Sequence, residues 1–79
     1  MLSKRLCPYT GIVNFYFDAD PHFAVGSVVK IAEKRYLWRC YTDPCTGVGA
    51  EDDINLAEQR VERLCRQAQR AEAPSVHAA

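Results

Sequence analysis

The stretch from Trp38 to Arg66 constrains the fold of this chain more than any other part of its sequence. It begins within an aromatic-rich run, Tyr36–Thr42, whose composition predicts a β-strand. Turn-forming residues follow at Asp43-Pro44 and at Thr46–Gly49, and a segment with helical periodicity comes after them. A strand, an acidic loop and a helix in this order predict a small α+β domain.

The predicted helix extends from about Asn55 to Ala71. Asn55 is a favourable N-cap, and Glu58, three residues later, would complete a capping box. The acidic residues at 51–53 would be stabilised by the positive end of the helix dipole. Apolar residues at helical spacing form one stripe: Ala57, Val61, Leu64, Cys65 and Ala68. Pro74 is expected to end the helix, so we predict a domain of residues 1–73 and a flexible tail of residues 74–79.

Two earlier segments are candidates for the remaining strands. Thr10–Phe17 is rich in β-branched and aromatic residues, which favour strands. Phe23–Ala32 is ambiguous, because Asp20 and Pro21 would suit the start of a helix. Its four β-branched residues and the central Gly26-Ser27 favour a strand instead. A hairpin turn at residues 33–35 would then lead into the strand at Tyr36–Thr42.

The predicted architecture is therefore β-β-β-α, a three-stranded antiparallel meander followed by one long C-terminal helix packed on one sheet face. Met1–Pro8 is expected to be a lead-in without regular structure. By the two-residue period of a strand, one set of residues would face the helix: Phe15, Phe17, Val29, Ile31, Tyr36 and Trp38. The opposite, open face would carry a second set: Ile12, Asn14, Tyr16, Val28, Lys30, Leu37, Arg39 and Tyr41.

Charge and hydropathy narrow the classes of partner. Ten basic and ten acidic side chains give a net charge of zero, so a bulk electrostatic attraction to nucleic acid or to an anionic membrane is absent. No apolar run approaches the roughly 18 residues of a membrane-spanning helix. Lys4 and Arg5 are not followed by the apolar segment of a signal peptide, and a cytoplasmic location is expected.

Four cysteines and two histidines raise the question of a metal site. Cys40 and Cys45 are separated by four residues, and Cys7, His22 and His77 are the candidates that could complete a tetrahedral zinc site. Structural zinc modules usually contain two paired knuckles, whereas this chain has one loosely spaced pair. A disulfide is the other alternative, but we expect thiols without a chemical role, and we predict neither a metal nor another cofactor.

No motif in the sequence predicts catalysis. Asp18 and Asp20 lack the glycine and the terminal glutamate of a calcium-binding loop. Gly47 and Gly49 precede the helix, but no lysine follows them as in a phosphate-binding loop. We expect His22 to be a solvated loop residue, and we predict that the protein is not an enzyme.

The open face of the predicted sheet is the candidate interaction surface. Its proposed members are Tyr16, Lys30, Leu37, Arg39 and Tyr41. Tyrosine and arginine are enriched at the centres of protein interfaces, which favours a protein partner or self-association. The same side chains would suit the stacking of single-stranded nucleic acid, but the zero net charge disfavours that alternative. The predicted function is a small, non-catalytic interaction module.

The predicted order of elements resembles three groups of small modules. These are the AP2 type of DNA-binding domain, the core of double-stranded-RNA-binding domains and some phage-encoded inhibitor proteins. The AP2 type reads DNA through basic side chains on its sheet, a role for which this chain offers Lys30 and Arg39, with Lys34 and Arg35 in the turn. The resemblance is one of topology, and topology alone does not assign a function.

Overall fold

The computed structural model describes the backbone of residues 2–78 and the side chains of residues 2–70. Its elements are β1 Leu2–Leu6, β2 Val13–Phe17, β3 Gly26–Ala32, β4 Arg35–Cys40, β5 Gly47–Glu51 and α1 Ile54–Ala78. The strands form one sheet in the order β1-β2-β3-β4-β5, and each pair of neighbours is antiparallel. The helix α1 packs across one face of this meander.

The predicted α+β class, with an antiparallel sheet and one C-terminal helix, is confirmed, but the sheet has five strands instead of three. The ambiguous segment is confirmed as a strand, which begins at Gly26. The helix extends from Ile54 to Ala78, beyond the predicted end at Ala71. The predicted tail of residues 74–79 lies outside the described side chains, so the division at residue 73 stays a prediction.

The first missed strand is β1, which the sequence analysis assigned to a lead-in. Leu2 pairs with Phe17 and Leu6 pairs with Val13, so alternate residues of β1 lie on the helix side of the sheet. Lys4 is one of these residues, and its Nζ lies 2.5 Å from Oε1 of Glu58 on the helix. Two charged residues in five obscure the strand pattern, and the tertiary pairing overrides the weak local preference.

The second missed strand is β5, which the sequence analysis assigned to a loop because of its two glycines. The indole of Trp38 on β4 lies directly over these glycines. A Cβ atom added at Gly49 would lie 2.6 Å from Cζ2 of Trp38, and one added at Gly47 would lie 3.5 Å from its Cζ3. The glycines therefore leave room for a large aromatic ring, which is a recognised role of glycine within a strand.

The strand β3 is displaced by one residue from the predicted assignment of its faces. Val28 pairs with Trp38 and is buried beneath the helix, whereas Val29 lines the opposite face. Ile31 lies at the end of the strand beside a register shift and is exposed. The prediction that Val29 and Ile31 meet the helix is therefore wrong. Val28 and Val29 are adjacent, so each alternation of the strand carries a β-branched residue and periodicity leaves the choice of buried face undetermined.

The core lies between the sheet and the helix. Its buried side chains are Val13, Phe15, Val28, Cys40, Ala57, Val61, Cys65 and Ala68. The helix approaches the sheet most closely at Gly26. A Cβ atom added there would lie 2.4 Å from Cγ1 of Val61 and 3.1 Å from the carbonyl oxygen of Arg39. The absence of a side chain at Gly26 thus sets how closely the helix packs on β3.

Asp53, and not Asn55, is the N-cap of the helix. Oδ1 of Asp53 accepts a hydrogen bond of 3.1 Å from the backbone N–H of Asn55, and its carbonyl oxygen accepts one of 3.1 Å from Ala57. These are the two bonds that an N-cap aspartate makes. Glu58 pairs with Lys4 on β1 instead of completing the predicted capping box.

We predict that Gly26→Ala destabilises the protein by roughly 1–3 kcal/mol, because its methyl group overlaps Cγ1 of Val61. Val61→Ala alone should also destabilise the protein through loss of a buried side chain. The double variant should lose less than the sum of the two, with a coupling of about 0.5–3 kcal/mol. Urea unfolding followed by circular dichroism measures all four proteins. Additive losses would contradict the proposed contact.

Candidate functional site: the open sheet face

The open face of the sheet, opposite the helix, forms a shallow groove of about 250 Å³. The side chains that line this open-face groove come from β2, β3 and β4 and the residues that flank these strands: Ile12, Asn14, Ser27, Val29, Leu37, Arg39 and Tyr41. Strand pleating explains the set, since alternate residues of each strand point away from the core. The groove therefore combines an apolar floor with a few polar groups.

Tyr41 is held at one wall of the open-face groove. Its backbone N–H donates a hydrogen bond of 2.8 Å to the carbonyl oxygen of Val25, and its hydroxyl shares one of 2.6 Å with the hydroxyl of Ser27. The side chain is still 45% exposed. A fixed aromatic ring with this exposure loses little conformational freedom when a partner covers it.

Tyr16 also lies on the open face, but the face of its ring is occupied. The guanidinium carbon of Arg5 on β1 lies 4.6 Å from the centre of the Tyr16 ring, a cation–π contact. Beside them the hydroxyl of Ser3 donates a hydrogen bond of 2.5 Å to Oδ1 of Asp18. Arg5 was not predicted on this face, because the charged residues of β1 obscure its strand pattern.

Lys30 differs from the other proposed members of the surface. It pairs with Tyr36, whose side chain packs on the core, so Lys30 belongs to the helix side of the sheet. Its Nζ lies 3.6 Å from Oε2 of Glu33. Tyr16, Leu37, Arg39 and Tyr41 are on the open face as expected. Lys30 and Val28, which were predicted on the open face, lie on the helix side instead. Ser27 and Val29 take their positions on the open face, because the faces of β3 are displaced by one residue.

The open-face groove is basic although the chain as a whole is neutral, and Asp18 lies outside it beside Ser3. Arg39 lines the groove, Arg5 lies on the same face of β1, and the lining residues of the groove include no carboxylate. A groove that is lined by arginine and tyrosine and by no carboxylate complements a partner that is negatively charged.

Cys40 lies beside Cys65 on the helix, and not beside Cys45, the cysteine with which it is paired in sequence. The two sulfur atoms are 3.8 Å apart in the core, and the thiols are free. Burial, followed by the neighbouring thiol of Cys40, raises the pKa of Cys65 to about 12. Cys65 is therefore a protonated thiol at neutral pH, and both sulfur atoms are buried from solvent.

Cys7 lies in a different environment, in the connection between β1 and β2. A hydrogen bond from the Thr10 side chain lowers the pKa of the Cys7 thiol, and the backbone N–H groups of Thr10 and Tyr9 act in the same direction. Within the described residues, no three His, Cys, Asp or Glu side chains are arranged to hold a metal ion. His77, a ligand in the considered zinc site, lies outside the described side chains, so the absence of a metal stays a prediction.

Comparison of this chain with protein-family models, with curated proteins and with solved structures gives no significant match. Within the part of the chain that the structure describes, no helix is both long enough and apolar enough to cross a membrane.

We predict that iodoacetamide alkylates Cys7 much faster than Cys40 or Cys65 in the folded protein at a pH of about 8, since the thiolate is the reacting form. The lowered pKa of Cys7 increases its thiolate fraction, whereas burial protects the other two thiols. Peptide mapping by mass spectrometry over time measures the three rates. Thr10→Val should slow the reaction of Cys7, and equal rates for all three thiols in folded protein would contradict the described core.

Proposed function

We propose that this protein is a small, non-catalytic interaction module that binds another protein, or a second copy of itself, through its open sheet face. The observation that carries the proposal is the open-face groove, where Leu37, Val29 and Tyr41 are accessible on a regular sheet. The helix covers the opposite face only. A partner that covers this groove would remove apolar surface from water, the main favourable term in protein association.

The shape of the groove favours a protein partner over a small ligand. Its volume of about 250 Å³ is smaller than the roughly 300–1,000 Å³ of typical ligand sites. Its titratable lining residues are Arg39 and Tyr41, and neither is paired there with a group that would act as a general base. These features support a role in binding without catalysis, and we place that role in the cytoplasm, as expected from the sequence.

The basic character of the open face supports a partner with acidic groups around an apolar patch. Arg39 lies beside the apolar residues Leu37 and Val29, so one partner surface would meet both kinds of side chain. Arginine and tyrosine are the side chains that most often dominate binding energy when they lie at the centre of an interface. We therefore expect Arg39 and Tyr41 to contribute most to the free energy of binding.

We predict that Tyr41→Asp weakens association by at least about tenfold, because a carboxylate would be buried on the apolar floor of the groove. Light scattering at micromolar concentration measures self-association, and affinity capture measures binding to other proteins. Tyr9→Asp is the matched control, since Tyr9 is 95% exposed in the β1–β2 connection, away from the groove. A monomeric wild-type protein with captured partners unaffected by Tyr41→Asp would contradict the proposal.

Single-stranded nucleic acid is the alternative ligand, and the basic open face is the observation that favours it. Arg5 and Arg39 flank the two tyrosines of this face, an arrangement that suits phosphate contacts and base stacking. The cation–π contact with Arg5 reduces the access of a base to the ring of Tyr16. Tyr41 is therefore the better stacking platform of the two.

If the alternative is correct, affinity for a single-stranded oligonucleotide should fall steeply between about 50 and 200 mM salt through the release of counterions. Arg39→Ala and Tyr41→Ala should each weaken binding without loss of the circular dichroism signal of the fold. Fluorescence anisotropy with a labelled oligonucleotide measures both effects. Weak binding that does not depend on salt would exclude the alternative and leave the protein partner.

A further inference from the structure

Two cysteine thiols from different elements meet in the core of the domain. Cys40 is the last residue of β4, and Cys65 lies near the middle of α1. Their sulfur atoms are 3.8 Å apart, and both side chains are buried. The two residues are 25 positions apart in the sequence, so it is the packing of the helix on the sheet that brings them together.

The close approach of the helix to the sheet at Gly26 positions the sulfur of Cys65. Gly26 pairs with Cys40 across β3 and β4, and a Cβ atom added at Gly26 would lie 3.7 Å from Sγ of Cys65. The same sulfur atom lies 4.0 Å from the carbonyl oxygen of Val25, the residue before β3. Both thiols are therefore held by regular secondary structure at the point where the two layers are closest.

A third cysteine, Cys45, lies nearby in the connection between β4 and β5, where it is half-buried. Burial makes the largest contribution to the raised pKa of Cys65, Cys40 follows, and Cys45 contributes less than Cys40. This order agrees with the contact of 3.8 Å between the sulfur atoms of Cys40 and Cys65. The structure therefore identifies Cys40 as the thiol best placed to react with Cys65.

Thiols that a fold holds in contact are favoured to form a disulfide. In the unfolded chain, bringing Cys40 and Cys65 together costs the conformational entropy of closing a loop. In the folded protein the packing of α1 on the sheet has already closed that loop. A disulfide bond is about 2.05 Å long, and rotation about χ1 moves a cysteine sulfur atom far enough to make the remaining approach.

The bond would enclose the edge strand of the sheet. β5 and the first part of α1 lie between Cys40 and Cys65 in the sequence, and β5 has a single neighbour in the sheet, β4. A disulfide across this segment would restrict the unfolded chain and hold the helix on β4. The oxidised protein should therefore be more stable than the reduced protein.

We propose that Cys40 and Cys65 form a reversible redox pair, which a low-molecular-weight disulfide such as oxidised glutathione converts into a disulfide between β4 and α1. One cysteine thiolate attacks a sulfur atom of the oxidant, forms a mixed disulfide and releases one glutathione thiolate. The second cysteine thiolate attacks the cysteine sulfur of the mixed disulfide and displaces the second glutathione thiolate. The two cysteine protons end on these two thiolates, so two protein thiols are oxidised and one molecule of oxidant is reduced.

Burial makes this reaction slow without making its equilibrium unfavourable. The attacking form is the thiolate, and both sulfur atoms are buried until α1 locally separates from the sheet. In a reducing compartment the pair would remain as the two free thiols of this structure, and a more oxidising glutathione pool would close the bond. This redox chemistry is independent of the function proposed for the open face.

The test equilibrates the full-length protein with mixtures of reduced and oxidised glutathione at a pH of about 8. Peptide mapping by mass spectrometry, after alkylation and without reduction, identifies which cysteines are joined. We expect a bridge between Cys40 and Cys65 in the folded protein. In urea Cys40 should pair mainly with Cys45, because the shorter loop closes more readily.

The double variant Cys7→Ser, Cys45→Ser keeps this pair alone and measures its equilibrium with glutathione directly. We expect the equilibrium constant for the bridge to be about a hundredfold larger in the folded protein than in urea, because folding closes the loop. Oxidation should also raise the melting temperature by roughly 10 °C or more, and dithiothreitol should reverse the rise. Circular dichroism follows both the fold and its melting.

Cys65→Ala is the matched variant that should lose both the bridge and the rise in melting temperature. The double variant decides the question even if Cys65→Ala does not fold, since it retains both thiols of the pair. A bridge from Cys65 to Cys45 in the folded protein would overturn the proposal. So would an equilibrium constant in the folded double variant no larger than in urea, or an oxidised protein that melts no higher than the reduced one.

Discussion

The close contact of the helix with Gly26 on β3 is the interaction on which the rest of the structure depends. The sheet has a single covering layer, so nearly all of its apolar burial must come from this one interface. The buried stripe of the helix consists of small and medium side chains, with Val61 at the closest point. Small side chains bring the helix backbone near the sheet and allow dense packing, which a domain of 79 residues needs because its core is small.

Because one helix covers one face of the sheet, the remaining surfaces of the domain differ from one another in charge and exposure. The open face has no covering element among the described residues, and its groove is lined by apolar and basic side chains. The same helix divides the two edges, with Glu58 turned toward β1 and Arg60 toward β5. One packing arrangement therefore separates three surfaces: an open face whose groove contains Arg39, an edge that carries Lys4 and Arg5, and an edge beside the ion pair of Arg60 with Glu51.

The sequence predicted the elements that have strong local patterns, and it did not predict those whose structure depends on tertiary contacts. The helical stripe and the aromatic strand at Trp38 predicted the class, the antiparallel sheet and most of the open face. The strands β1 and β5 were missed because charged residues and glycines weaken local preference, and their pairing with Phe17 and Trp38 is a contact between strands that local composition does not encode. The predicted placement of Lys30 was wrong because each alternation of β3 carries a valine, so periodicity left the buried face of this strand undetermined.

The packing of Trp38 on β5 has a spectroscopic consequence. Trp38 is the sole tryptophan of the chain, its ring lies against Gly47 and Gly49, and its Nε1 donates a hydrogen bond of 3.3 Å to Oε2 of Glu51. These three contacts of the indole belong to one edge strand, while Trp38 also packs against the buried core. The intrinsic fluorescence of this protein therefore reports on that edge as well as on the core, and a shift of its emission toward longer wavelengths would follow the detachment of β5 even while the helix remains folded.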